Sequence, residues 1–314
     1  MKTVAKTETW RFASQQADMG LNRLAFQIKH ALEVHDAEAV HDLRVAIRRF
    51  SQTLRVFKPW LRGKQIRKIR RELKQMMDLA GEVRNLDIAV RLLLKPQRNA
   101  PLPLRSELCN LRRQSHRALA AFLKKWLERK SSLKWRQALA SSFSLNAEKL
   151  NKSPIERTAQ RMLPPMAKEF FERGNEAVHT VASPGELHQF RIICKKFRYT
   201  LELFAPTFGP APNARMEPIK RAQGLLGDIN DCDTVRSILS SYKGDERLAL
   251  WLKKRQRRRV EDFHRFWSQM LASRAEMQGW RAFLASAGSV HAWKNPTTSS
   301  QRVSPPSDGQ PAAA

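Results

Sequence analysis

The chain repeats itself. His41-Asp-Leu-Arg-Val-Ala-Ile-Arg-Arg-Phe50 returns 147 residues later as His188-Gln-Phe-Arg-Ile-Ile-Cys-Lys-Lys-Phe197. Gly81-Glu-Val-Arg-Asn-Leu-Asp87 returns as Gly227-Asp-Ile-Asn-Asp-Cys-Asp233 at an offset of 146, and Trp135-Arg-Gln-Ala-Leu-Ala-Ser141 as Trp280-Arg-Ala-Phe-Leu-Ala-Ser286 at an offset of 145. Three ordered matches at nearly one offset mark a duplication. They divide the chain into an N-terminal segment (1–9), a first unit (10–150), a second unit (151–293) and a Pro/Ser/Thr/Ala-rich tail (294–314) that reads as disordered. Within each unit Leu, Ala, Arg, Lys, Gln and Glu dominate and strand-like alternation is missing, so the fold class is all-α. Breaks at Pro59–Gly63, Pro96–Pro103, Asn151–Pro154, Ser183–Gly185, Pro206–Pro212 and Lys243–Asp245 leave four long helices plus short ones per unit. Units of that kind pack as four-helix bundles.

The first repeated segment has two faces. Leu43, Ala46, Ile47, Phe50, Leu54 and Phe57 form one apolar helical stripe, and His41, Arg44, Arg48 and Arg55 fall on the opposite side. The second copy has the stripe Phe190, Ile193, Cys194, Phe197, Leu201 and Phe204 and the cationic face His188, Arg191, Lys195 and Arg198. A charged face opposite an apolar stripe is ordinarily a solvated surface, which mixes signs and gains from i,i+4 pairs. This face carries almost one sign. A structural duplication requires the stripe to be kept but not the cations, yet both are kept, which points to an anion-binding face. Arg67, Arg70, Arg71 and Lys74 lie on the helix before Gly81, and Lys220 matches Lys74. Arg112 and Arg113 match Arg257 and Arg258. Each unit is therefore expected to present cations from three helices.

The ligand class follows from charge. Lys and Arg number 58 against 29 Asp and Glu, a net charge of +29. That excess attracts polyanions over long range and makes a small neutral substrate a poor expectation. With 42% hydrophobic residues the chain has a core, which excludes full-length disorder. No run reaches ~18 apolar residues, so no membrane span is expected. The stretch Met1–Arg11 lacks the apolar region of a secretory signal. Cys109, Cys194 and Cys232 are odd in number and widely spaced, which fits a reducing cytoplasm. Nucleotide-binding glycine loops are absent. Single-strand binders interleave aromatics with cations so that bases can stack. Here the aromatics sit on the buried stripe, apart from Tyr199. No recognition-helix motif for a duplex is present.

His41-xx-Arg44-xxx-Arg48-Arg49 and His188-xx-Arg191-xxx-Lys195-Lys196, with the Gly81–Asp87 and Gly227–Asp233 segments, resemble the CHAD family, the conserved-histidine α-helical domain. The resemblance extends from about Trp10 to Trp293. It implies two four-helix bundles with pseudo-twofold symmetry, whose basic faces converge on a groove or pore that binds inorganic polyphosphate. It also implies association with polyphosphate granules and with polyphosphate-metabolising or triphosphate-cleaving CYTH-type proteins. The ExExK strand motif of a CYTH domain is absent, so the chain looks like a stand-alone module. Ser51 stands opposite Arg198, and Glu202 opposite Arg55, so the two halves are expected to contribute unequally.

The expected polyphosphate-binding residues are His41, Arg44, Arg48, Arg49, Arg55, Arg67, Arg71, Lys74, Arg112, Arg113, His188, Arg191, Lys195, Lys196, Arg198, Lys220, Arg257 and Arg258. Neither histidine has a carboxylate or second histidine at ligand spacing on its face, and neighbouring cations oppose a metal ion. Asp228-x-Asn230-Asp231-x-Asp233 lacks the Gly and Glu of a calcium loop. Asp87 and Asp233 are expected to cap helices or hold Arg and Lys side chains. No nucleophile–base set and no paired carboxylates lie within the basic faces. The expectation is a binding module without catalytic residues, metal or cofactor. The alternative is a nucleic-acid-associated basic helical protein.

Overall fold

A computed structural model describes residues 8–95, 100–147, 154–179, 183–208, 212–240 and 246–287. The disordered-tail assignment and the boundary at residue 150 lie outside them. Among the described residues ten helices follow one another: α1 (Thr9–Glu33), α2 (Ala37–Val56), α3 (Lys64–Leu93), α4 (Leu102–Glu128), α5 (Ser131–Ala147), α6 (Ile155–His179), α7 (Pro184–Phe204), α8 (Pro212–Ser240), α9 (Glu246–Met270) and α10 (Arg274–Ala285). Short 3-10 turns at 58–60 and 205–208 follow α2 and α7. Among the described residues there is no strand; a single antiparallel bridge joins Glu8 to Pro154. No helix among them is long and apolar enough to cross a membrane.

Each half has, among these residues, four helices of 20 residues or more and one shorter helix, as four long helices plus short ones per unit predicts, but not every break is signalled in the sequence. The unsignalled ends carry no Gly or Pro. α1 and α4 stop at the left-handed residues His35 (φ 57°) and Lys130 (φ 50°), just past the helix, where glycine ordinarily sits. Lengths run 25, 20, 30, 27 and 17 residues in α1–α5, and 25, 21, 29, 25 and 12 in α6–α10.

Caps fix where the two histidine helices begin. Asp36 Oδ1 accepts from the Ala39 amide at 2.7 Å at the start of α2. At α7 a capping box pairs Ser183 and Glu186: the Glu186 amide donates to Ser183 Oγ at 3.3 Å and the Ser183 amide to Glu186 Oε2 at 2.7 Å. The apolar stripes then bury as the spacing dictates: Leu43, Ala46, Ile47, Phe50, Leu54 and Phe57 in one helix, Phe190, Cys194, Phe197, Leu201 and Phe204 in the other. Gly174 makes room for Trp267, because a Cβ there would lie 1.9 Å from Cζ2 of that indole.

The halves meet along like elements: α2 packs on α7, α3 on α8 and α1 on α6. At one end Phe57 and Phe204 pack edge-on at 6.3 Å, with Phe12 beside both. At the C-terminal ends of α3 and α8 a second apolar cluster includes Leu86, Ala89, Leu93, Val235 and Leu239. Gln52 donates to Thr200 Oγ1 at 2.8 Å, and the ion pairs Arg49–Glu202 (3.1 Å) and Arg91–Asp231 (3.2 Å) also cross the junction. These contacts hold α2, α3, α7 and α8 with their polar faces across a gap.

Candidate functional site

That gap is a cavity of about 1750 Å³. Its wall, drawn from α2, α3, α7, α8 and the turn after α2, holds thirteen Lys and Arg side chains against four carboxylates, with both repeated histidines. Of the expected residues, His41, Arg44, Arg48, Arg55, Lys74, His188, Arg191, Lys195, Lys196, Arg198 and Lys220 are brought together there. Seven others are not among its lining residues. α4 and α9 pack against the backs of α3 and α8, so their cations do not reach it. Arg112 donates to Asp87 at 2.8 Å and to the His35 carbonyl at 3.3 Å. Arg113 donates to Asn110, and Arg257 lies 3.8 Å from Glu261. Arg258 lines a separate cavity on α9. Arg49 is engaged by Glu202, Arg67 lines a small depression beside Arg62 and Arg70, and Arg71 is exposed.

Lys58, Arg70, Arg84 and Arg91 line the cavity as well. Arg84 is the fourth residue of the Gly81–Asp87 segment, so the repeat itself held its signal. Lys58 sits in a turn, outside any helical periodicity. The two duplicated aspartates hold arginines: Asp87 accepts from Arg112, and Asp233 from Arg236 at 2.7 Å. Glu202 engages Arg49 and also Arg198 (3.5 Å), removing free positive charge from that end.

Arg44 and Arg191 are equivalent in the repeat and alike in environment. Arg44 Nη1 and Arg191 Nε are both buried without a hydrogen-bond partner. A buried unpaired donor costs about 1–3 kcal/mol, so both guanidiniums are poised for an acceptor that the protein does not supply. Burial, with Arg48 and Arg84 nearby, pushes Arg44 down to about 9. Burial and then Arg48 lower Arg191. Lys195 is pushed down to about 6 by burial first and then by Arg191, Arg48 and Arg44. Gly81 admits Arg44, since a Cβ there would stand 2.9 Å from Nη1. Gly224 and Gly227 leave open space along α8.

The histidines differ. His188 is exposed, and its Nδ1 lies 2.7 Å from Asn230 Oδ1. The Asn230 amide donates through Nδ2 to Thr234 Oγ1 at 3.3 Å, which leaves its oxygen facing the imidazole. The residue matching Asn230 in the first half is Arg84. There His41 is lowered below its ordinary value by burial and then by Arg84. Contrary to the sequence reading, carboxylates do approach His41: ligand atoms of Glu38, His41 and Asp42 lie within 4.8 Å of one another. Both acids are exposed, and Arg48 and Arg84 act on the same imidazole, so local charge opposes a cation. Tyr199 is buried at 6% exposure, with the Arg198 guanidinium 4.8 Å from its ring centre, so it offers no open face to a base.

The family model of the CHAD domain matches residues 16–240. The crystal structure of the CHAD domain from the plant Ricinus communis is similar in fold, with a TM-score of 0.67 at 17% identity, covering 90% of this chain and 94% of that one. PptA from Streptomyces chartreusis is similar with a TM-score of 0.51 at 19% identity, over 84% and 99% of the two chains. No curated protein matches the sequence. With the family model spanning well over half its length, this chain belongs to the CHAD domain family.

Proposed function

We propose that the protein binds inorganic polyphosphate in the cavity between α2, α3, α7 and α8, as a non-catalytic module. The observation that carries the reading is the pair Arg44 and Arg191, equivalent in the duplication, each with a buried unpartnered donor on a wall of thirteen cations. Phosphate oxygens supply acceptors to such donors, and a charge-assisted bond of this kind is worth about 1.5–3 kcal/mol. A linear chain of phosphates offers charge at every unit and no bases, which suits a cationic wall whose one lining aromatic, Tyr199, is buried. The matched order of helices and the packing of like elements support a pseudo-twofold relation between repeats 10–150 and 151–293. In the cell this activity places the protein in the cytoplasm at polyphosphate granules, beside polyphosphate-metabolising or CYTH-type partners.

Competition tests the reading. Labelled single-stranded DNA held by the protein should be displaced by polyphosphate at a phosphate concentration at least tenfold below that of unlabelled DNA. Equal displacement per phosphate would favour a general polyanion surface and the nucleic-acid reading. Turnover of polyphosphate or nucleoside triphosphates with Mg²⁺ would contradict the non-catalytic assignment.

A further inference from the structure

The outer side of α9 carries cations that the duplication does not account for. Lys253-Lys254-Arg255-Gln256-Arg257-Arg258-Arg259 has six cations in seven residues; the segment 145 residues earlier, Leu108-Cys109-Asn110-Leu111-Arg112-Arg113-Gln114, has two. These α9 side chains are not among those lining the central cavity. Trp251, Lys254, Arg255, Arg258 and Arg265, spaced along one face of the helix, line a separate cavity of about 510 Å³.

Arg259, Glu261 and Asp262 line this cavity too, so five cations stand against two acids, and each acid already pairs with a cation of α9. Asp262 accepts from Arg259 at 3.1 Å and lies 4.0 Å from Arg265. Glu261 stands 3.8 Å from Arg257, with both side chains more than half exposed. Among the described residues no carboxylate pairs with Lys254 or Arg258, and their i,i+4 spacing makes them repel. Arg255 is packed down: its guanidinium lies 5.9 Å from the Trp251 ring centre and acts on the buried Cys232 thiol. Lys254 and Arg258, held beside this fixed arginine with no carboxylate partner among the described residues, leave charge on this face for an external anion.

The groove is also insulated from the cavity. Asp228 lines the cavity and its carboxylate lies 3.2 Å from Arg259 of α9, so a carboxylate stands between the two cationic surfaces. A polymer segment in one is not led continuously into the other.

We propose that the α9 groove is a second polyphosphate site, which makes each molecule bivalent and able to bridge two polymer segments. The inference rests on the reading of the cavity as a polyphosphate site. Bridging raises avidity and condenses long chains without any new contact at the cavity.

Calorimetry with polyphosphate too short to span both sites tests it, alongside light scattering with long polyphosphate. The wild type should bind two short chains. Lys254→Gln/Arg258→Gln/Arg265→Gln, at three exposed positions and with a good helix former, should bind one, keep its melting temperature, and scatter several-fold less with long chains. Arg44→Gln/Arg191→Gln should also bind one, through the groove. A wild type that binds one chain, lost in Arg44→Gln/Arg191→Gln, would overturn the second site and leave the cavity reading intact. One chain lost only in the α9 variant would overturn both the bivalency and the cavity assignment. Two chains retained by the α9 variant would overturn the groove.

Discussion

Arg44, Arg191 and Lys195 are cations placed where the fold gives them too few counter-charges, and their protonation reports on the cavity. Lys195 faces Arg191 on its own helix, Arg44 and Arg48 from α2 and Asp231 from α8. Its ordinary value of 10.5 falls to about 6 in the folded protein, chiefly through burial. Between those values the unfolded chain binds a proton that the folded chain does not. Stability contributed by this group therefore rises with pH across the window and is lost as pH falls from about 10.5 toward about 6. A bound polyanion reverses the bias by favouring the ammonium form. At pH 7.5, titration calorimetry in buffers of different ionisation enthalpy should show uptake of close to one proton per cavity filled, and Lys195→Met should abolish it. Binding without proton uptake would show that Lys195 is already charged. Which cations share this wall was legible where they repeat: Arg44 with Arg191, Arg48 with Lys195, His41 with His188. Arg112 with Arg257 and Arg113 with Arg258 were expected there on the same grounds, but the repeat does not say which side of α4 and α9 faces inward. Asp87, buried at 8% exposure, takes Arg112 into structure instead.

Helix content and the stripes of α2 and α7 followed from spacing, because burial of every third or fourth residue leaves a period in the sequence. The turns that make five helices per half left none. His35 and Lys130 occupy left-handed backbone at the ends of α1 and α4 without being glycine, so the usual punctuation is missing. Such a residue costs about 1–2 kcal/mol relative to one free of Cβ crowding, partly offset by the greater entropy glycine loses on folding. Lys130 is exposed, and its amide donates to the Leu127 carbonyl at 2.8 Å, a bond glycine keeps. Lys130→Gly should raise stability by about 0.5–1 kcal/mol, read as a higher denaturant midpoint with an unchanged slope. A fall would mean that the Lys130 side chain holds the α4–α5 turn.

Across the whole molecule, the proposed function assigns the +29 charge to steering polyanions in from a distance and the cavity to sorting them by shape. The two contributions separate by salt. Six or more phosphate contacts should give a log–log dependence of affinity on salt steeper than about −4, borrowing the single-strand slope of about −0.7 per contact. A slope near −1 would mean that few of the lining cations touch the polymer. Net charge alone pointed to a polyanion as the expected partner. Sequence alone could not give the cavity, which depends on how Phe57 meets Phe204 and how α3 meets α8 across 147 residues of chain.

Shape is tested most directly by keeping charge and removing forks. Arg44→Lys/Arg48→Lys/Arg191→Lys leaves the protein at +29 and long-range attraction unchanged, but removes the planar donors that meet phosphate oxygens in pairs. Affinities for long polyphosphate and for double-stranded DNA should be measured on this variant and the wild type at one fixed salt concentration. The account predicts a loss of about tenfold or more for polyphosphate, since each ~1.4 kcal/mol is a factor of ten, and little change for DNA. Equal weakening of both ligands, or of neither, would contradict a dedicated polyphosphate cavity.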